Sequence, residues 1–227
     1  HSLTTFYVDV SPEAYLMNTM SIRMGLSMLA LGPLTLSIIN LNRQKLYHQI
    51  LYLANHDSLT TTMNRRYFFE ESEKTVQSVR QTARSVTILL LDIDHFKKIN
   101  DQYGHHAGDI VLQQFTQVIA ENLRQSDLFG RLGGEEFAIL LKNLSLTESI
   151  QIAQRLCHLV YDHPITLPNN EVLHISVSIG LSYQTCPYYI PFQQLINRAD
   201  DALYEAKETG RNKLCIERQL HTVSPTN

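Results

Sequence analysis

An α/β fold, with a mixed sheet carrying helices on its faces, is predicted by three features of this 227-residue chain. Val86-Thr87-Ile88-Leu89-Leu90-Leu91 is a nearly unbroken apolar run, as a strand covered on both faces should be. Gly133-Gly134-Glu135-Glu136-Phe137 marks a tight turn between two short strands, with acid at its tip. Between them Ile110, Leu112, Phe115, Val118, Ile119 and Leu123 recur at helical spacing. Strand–helix crossovers combined with a hairpin call for a mixed sheet.

Composition narrows the class. A hydrophobic fraction of 44% is ample for a packed core. The net charge of −3 supplies no basic field for nucleic acid, so none is expected as a partner. Cys157, Cys186 and Cys215 lie far apart with no CxxC, which argues for reduced thiols rather than a disulfide frame or a zinc site. The chain opens on His1, and is expected to be part of something longer, with residues 1–22 the end of an upstream sensor or periplasmic segment.

Met24 to Asn42 carries no charge and is rich in Leu, Ile and Met, with Arg23 before it and Arg43 and Lys45 after. Nineteen residues at helical rise reach about 28 Å, close to a bilayer core. The expectation is a transmembrane helix over 23–42, an inner-membrane location, and everything after Arg43 in the cytoplasm. Leu46, Ile50 and Leu53 then define a helical stalk over 43–55, of the kind that pairs as a coiled coil. Beyond His56 the pattern alternates. A charged helix covers 64–83, then the 86–91 strand and the 108–123 helix, then the hairpin. A helix over 147–160, a strand over 172–181, a helix over 192–209 and a short strand over 213–216 complete it, leaving 218–227 as a tail.

The chemistry gathers at strand ends. The 86–91 strand runs into Asp92-Ile93-Asp94, beyond the carboxyl end of a strand, where α/β sheets collect ligands. Asp92 therefore sits where an acid becomes functional, and the two adjacent carboxylates at the glycine turn suit a hard divalent cation. Asn100 and Asp109 suit a guanine edge: an amide to meet O6 or N7, and a carboxylate to accept from N1–H and N2–H₂. Lys97 offers a cation for phosphate. Taken singly, each residue is also ordinary strand-end or turn chemistry. Arg124-Gln125-Ser126-Asp127 lies just upstream of the glycine turn, and an arginine there can pair bidentately with phosphate and stack on guanine; R-x-x-D is also a common surface ion pair.

Residues 56 to 217 resemble a GGDEF domain, the diguanylate cyclase catalytic module. The resemblance runs through Asp57-Ser58-Leu59-Thr60, Asn64-Arg65-Arg66-Tyr67-Phe68 and Asp92-Ile93-Asp94-His95-Phe96-Lys97. It continues through Gly104-His105, Gly108-Asp109, the glycine turn in its GGEEF form, the Ala199–Lys207 stretch and Gly210-Arg211-Asn212. It implies a palm-like fold and the condensation of two GTP into cyclic di-GMP and two pyrophosphates by a homodimer. It implies two Mg²⁺ or Mn²⁺ ions per active site, held by Asp92, the Ile93 carbonyl and Glu135, with Glu136 beside them. Glu135 is also the implied base for the ribose 3′-hydroxyl, and Lys97 the residue steadying phosphate charge. Asn100 and Asp109, with His105 nearby, would read guanine; Lys207 and Arg211 would reach the triphosphate. Arg124 and Asp127, with Arg155 as a second arginine, would form an inhibitory site for the product. One departure stands out: Thr61-Thr62 occupy positions where the family usually has Gly and an apolar residue. A silent domain that only senses GTP or cyclic di-GMP is the alternative reading, and the intact acids Asp92, Glu135 and Glu136 weigh against it.

Overall fold

The computed structural model describes residues 11–81, 84–185 and 190–217; Cys186, the segment 1–10 and the tail 218–227 lie outside the described residues. The chain divides into two units, His1–Ala54 and Asn55–Asn227.

The described residues of the first unit lie in one helix, α1 (Pro12–Asn55), with Ser11 just before it. The expected membrane span over 23–42 finds no support: among the described residues no helix is long and apolar enough to cross a membrane. Ser27, Thr35, Ser37 and Asn40 dilute the apolar stretch, and the side chains of residues 30 and 32–34 are outside the description. Ser27 and Thr35 return their hydroxyls to the carbonyls of Arg23 and Leu31, the usual way a helix satisfies such groups. No break separates the stalk from what precedes it. Leu46, Ile50 and Leu53 are exposed in the single chain.

The second unit runs β1 (Met63–Asn64), α2 (Arg65–Gln81), β2 (Ser85–Ile93), α3 (Phe96–Tyr103), α4 (His105–Ala120), β3 (Leu128–Gly133) and β4 (Glu136–Lys142). It continues through α5 (Leu146–Asp162), β5 (Ile165–Thr166), β6 (Val172–Leu173), β7 (Val177–Thr185), α6 (Phe192–Glu208) and β8 (Leu214–Ile216). Six strands form one sheet in the order β1-β3-β4-β2-β7-β8, while β5 and β6 pair separately. The sheet is mixed, as expected. β2 is antiparallel to β4 and β7, whereas β1–β3 and β7–β8 are parallel.

β2 is central, and its alternation builds both cores. Leu89, Leu91 and Ile93 face one way, against Val111, Phe115 and Ile119 of α4 and Leu156 and Val160 of α5. Ile88 and Leu90 face the other, with Phe68 and Val76 of α2 and Leu195 and Ala199 of α6. Each side chain is almost fully buried. α5 starts cleanly because Ser145 and Glu148 form a reciprocal capping box.

Three differences from the sequence reading have local causes. A helix, α3, precedes the expected 108–123 helix, and the second helix begins earlier, at His105; Gly104 turns the chain between them with its N–H on the Asn100 carbonyl. The expected 172–181 strand is two strands, because Val172-Leu173 pairs with β5 and only Val177 onward joins the main sheet. The two-residue β1 was too short to show periodicity.

Candidate functional site

Asp92 is the last acid on the central strand, 8% exposed and in register with Glu136 on β4 and Ser178 on β7. The β3–β4 turn brings Glu135 and Glu136 to that corner. Gly134 adopts φ 53, a left-handed conformation that a side chain would resist, which is why the tip reads Gly-Gly. The turn is tied to β2 directly, because the Ile93 N–H donates to the Glu135 carbonyl at 3.3 Å. Burial pushes the Asp92 carboxyl above its ordinary value; Lys207 opposes this, and the charges of Glu135 and Glu136 add to it. The Lys207 ammonium stands 2.7 Å from Asp92 Oδ2. The resemblance sends Lys207 toward a triphosphate; here it neutralises the buried acid.

The donors fit a hard divalent cation: two or three carboxylates and the Ile93 carbonyl, crowded enough to repel one another. Among the described residues, no group of three or more His, Cys, Asp or Glu side chains already stands as a metal cage. Mg²⁺ does not need one, since it binds through one or two carboxylates together with substrate phosphates and water.

The packing of α3 on α4 joins Asn100 to the start of the 108–109 pair. A Cβ on Gly108 would fall 2.0 Å from Asn100 Oδ1, so the glycine is what lets the amide lie close against α4. Asn100 is half-buried, and His105 and Asp109 are exposed, as a ligand-facing edge would be. Lys97 is exposed in the first turn of α3. Arg211 is exposed in the turn after α6, with φ 59, followed by Asn212 at φ 48.

Sequence reading missed the residue that pins that turn. Asp94 is 4% exposed and accepts from Ser176 Oγ at 2.6 Å, Ser178 Oγ at 2.7 Å and the Asn212 N–H at 3.0 Å. It therefore locks the Arg211 turn and the start of β7 to the metal-side strand end. Its position two residues from Asp92 hid this structural acid behind the candidate one. Arg131 was also missed. It donates to the Gly134 carbonyl from Nε at 2.9 Å and Nη2 at 2.8 Å, and to Asp57 Oδ1 from Nη1 at 2.9 Å. Nothing in the spacing of one sequence marks Arg131 out.

Arg124, Asp127 and Arg155 do converge. They line one cavity of about 330 Å³ with Glu121, Asn122, Leu123 and Ile152. The 124–127 turn closes on itself through Arg124 N–H to Asp127 Oδ2 at 3.0 Å, and Arg155 reaches the Asn122 carbonyl at 3.0 Å. At the departure noted above, Thr61 takes φ 59 and Thr62 is buried with its hydroxyl 2.9 Å from that of Thr60. The threonines thus fill the place of a glycine and an apolar residue by strain and by a hydrogen bond.

A central strand ending in a buried acid, opposite an acidic glycine turn and beside a helix-borne amide and carboxylate, defines a nucleotide-binding palm of the α/β class. The chain belongs to the GGDEF-domain family, whose model, described as "Diguanylate cyclase, GGDEF domain", matches residues 54–213. It is 40% identical over 171 residues to the response regulator PleD of Caulobacter vibrioides, covering 75% of this chain and 37% of that protein. The crystal structure of the coiled coil and GGDEF domain of DgcB from Caulobacter crescentus, in complex with c-di-GMP, superposes with a TM-score of 0.72 at 25% identity, covering 87% of this chain and 99% of that one. The active GGEEF domain of a diguanylate cyclase from Vibrio cholerae gives a TM-score of 0.63 at 33% identity, covering 69% and 97%. The chain spans about half the length, or less, of the curated relatives it matches, 53% of one and 37% of PleD.

Proposed function

We propose that this chain is the catalytic part of a metal-dependent diguanylate cyclase that joins two GTP into cyclic di-GMP with release of two pyrophosphates. The observation that carries the reading is the buried Asp92 at the end of β2, in register with Glu136 and repelled by Glu135. That is a cation site waiting beside an amide and a carboxylate suited to guanine. Asp92, the Ile93 carbonyl and Glu135, with Glu136, would hold two Mg²⁺ or Mn²⁺ ions, which make a hydroxyl a competent nucleophile at neutral pH and stabilise the displaced oxygens.

The chain's own residues do the rest. Asn100 and Asp109 orient guanine, with His105 at the edge. Glu135 accepts the ribose 3′-hydroxyl proton. Lys97 and Arg211 balance charge on the phosphates, and Lys207 leaves Asp92 for the triphosphate as substrate arrives. Each catalytic unit holds one GTP, so two must face each other, and the exposed Leu46, Ile50 and Leu53 of α1 are the surface on which the homodimer would pair. The DgcB structure, which contains a coiled coil and c-di-GMP, supports both parts of this reading. The catalytic unit would work in the cytoplasm, where GTP is; membrane attachment has no support here. Incubation of the full chain with GTP and Mg²⁺ should yield cyclic di-GMP on chromatography, with specific activity rising with protein concentration. Absence of any dinucleotide product would favour the silent-sensor alternative.

The cavity lined by Arg124, Asp127 and Arg155 is proposed as the inhibitory site for the product. Two arginines lining one cavity match a cyclic dinucleotide, whose phosphates and guanine faces both suit guanidinium. Arg124→Ala should weaken product binding by calorimetry at least tenfold and relieve inhibition, leaving initial rates at low product unchanged. Equal affinity and equal inhibition in mutant and wild type would refute the assignment.

A further inference from the structure

Two glycines at the tip of a catalytic turn create a problem. Glycine gains the most freedom when unfastened, yet a base and metal ligand must be held to within about half an ångström. Glu135 is held from both sides. Its own carbonyl accepts from the Ile93 N–H. The peptide before it is held through the Gly134 carbonyl, which takes two hydrogen bonds from Arg131. Arg131 is 14% exposed, and its remaining terminal nitrogen pairs with Asp57, itself 25% exposed. The backbone runs β1–β3 parallel at Asn64↔Arg131, so the lead-in segment lies alongside the strand that carries the arginine.

Asp57 is in turn the centre of that segment. It accepts from the Thr60 N–H at 2.9 Å and Thr60 Oγ at 2.7 Å. Its N–H reaches the Thr62 carbonyl and its carbonyl takes the Thr61 N–H, both at 2.8 Å. Burial alone would raise the Asp57 carboxyl, but the hydrogen bonds from Thr60 and Arg131 outweigh it and hold the group below its ordinary value, so it stays charged. A fixed charge, a forked cation and one peptide plane therefore form a continuous strut.

We infer that Arg131 is a positioning residue, fastening the peptide ahead of Glu135 to Asp57, so that the geometry at which the chain leads into the domain sets the geometry of the catalytic turn. This rests on the cyclase reading for its consequence in turnover, but not for the strut itself. Its effect belongs to the transition state, where Glu135 must be placed, rather than to GTP binding.

The experiment uses the full chain with Arg131→Ala, Asp57→Ala, the double variant and the conservative Arg131→Lys, which retains the charge without the fork. Each single alanine variant should lower kcat about 10–100-fold, with the KM for GTP within about threefold of wild type. Amide exchange at Gly134–Phe137 should quicken at least tenfold, while exchange along β2 and β7 is unchanged. The double variant should be no worse than the worse single, because both break one strut. Arg131→Lys should fall between, and it decides the matter if an alanine variant loosens the whole domain. An unchanged turn, additive losses, or a raised KM with kcat preserved would overturn the inference, the last by making Arg131 a substrate ligand. Should wild type fail to convert GTP, the cyclase reading falls, and the exchange data alone decide the strut.

Discussion

Glu135→Gln should cut GTP turnover by about 10²–10⁴-fold while leaving the fold intact. The change removes one negative charge at nearly constant volume. Glu135 sits on a half-exposed turn, so the substitution empties no core and unfolding should shift by no more than about 0.5 kcal/mol. The loss has two sources: a proton acceptor for the 3′-hydroxyl disappears, and a cation site loses a ligand. The second source has its own signature. Glu135 is one of the charges that push the Asp92 carboxyl upward, so its neutralisation should let Asp92 fall toward its ordinary value. That gain does not replace the lost carboxylate ligand, so the variant should still need more Mg²⁺ for half-maximal rate, with extra metal recovering only part of it. The measurement is product formation by EDTA-treated protein after Mg²⁺ is restored in steps. Near-normal turnover in that protein would remove Glu135 from the site.

The parts of this molecule legible in one sequence are those where a single requirement dominates. β2 announces itself because burial on both faces demands apolar residues at every position. The hairpin does so because only glycine takes Gly134's conformation cheaply. The place of Asp92 at a strand end was readable from the apolar run before it, and that of Arg124 and Asp127 just ahead of β3 from the resemblance.

The unreadable parts are those where two segments settle the outcome together. Arg131 and Asp57 are 74 positions apart, and neither neighbourhood hints at the other. Asp94 lies beside an acid of different purpose, and only Ser176, Ser178 and Asn212, brought in from far along the chain, reveal its role. Lys207 meets Asp92 because α6 packs across the sheet end, which periodicity cannot express.

Gly108→Ala should separate substrate reading from stability. In most helices this substitution is favourable by about 1 kcal/mol, because alanine surrenders less backbone entropy. Here the added Cβ would lie 2.0 Å from Asn100 Oδ1 and 3.0 Å from its Cγ, with Phe96 Cζ at 3.1 Å. Asn100 is the movable partner: its side chain can swing away, whereas Phe96 is buried. The helix should then hold or gain stability while the amide leaves its place against Gly108. If that amide reads the guanine edge, its displacement leaves a polar ligand group unmatched, and kcat/KM for GTP should fall about 10–100-fold, chiefly through KM. Selectivity for GTP over ATP should narrow in the same variant. Thermal unfolding with and without GTP supplies the second readout: the melting temperature without nucleotide should match or exceed wild type, and the rise on adding GTP should shrink. Unchanged kcat/KM and unchanged base preference would show that Asn100 does not touch guanine, and that Gly108 serves helix packing alone.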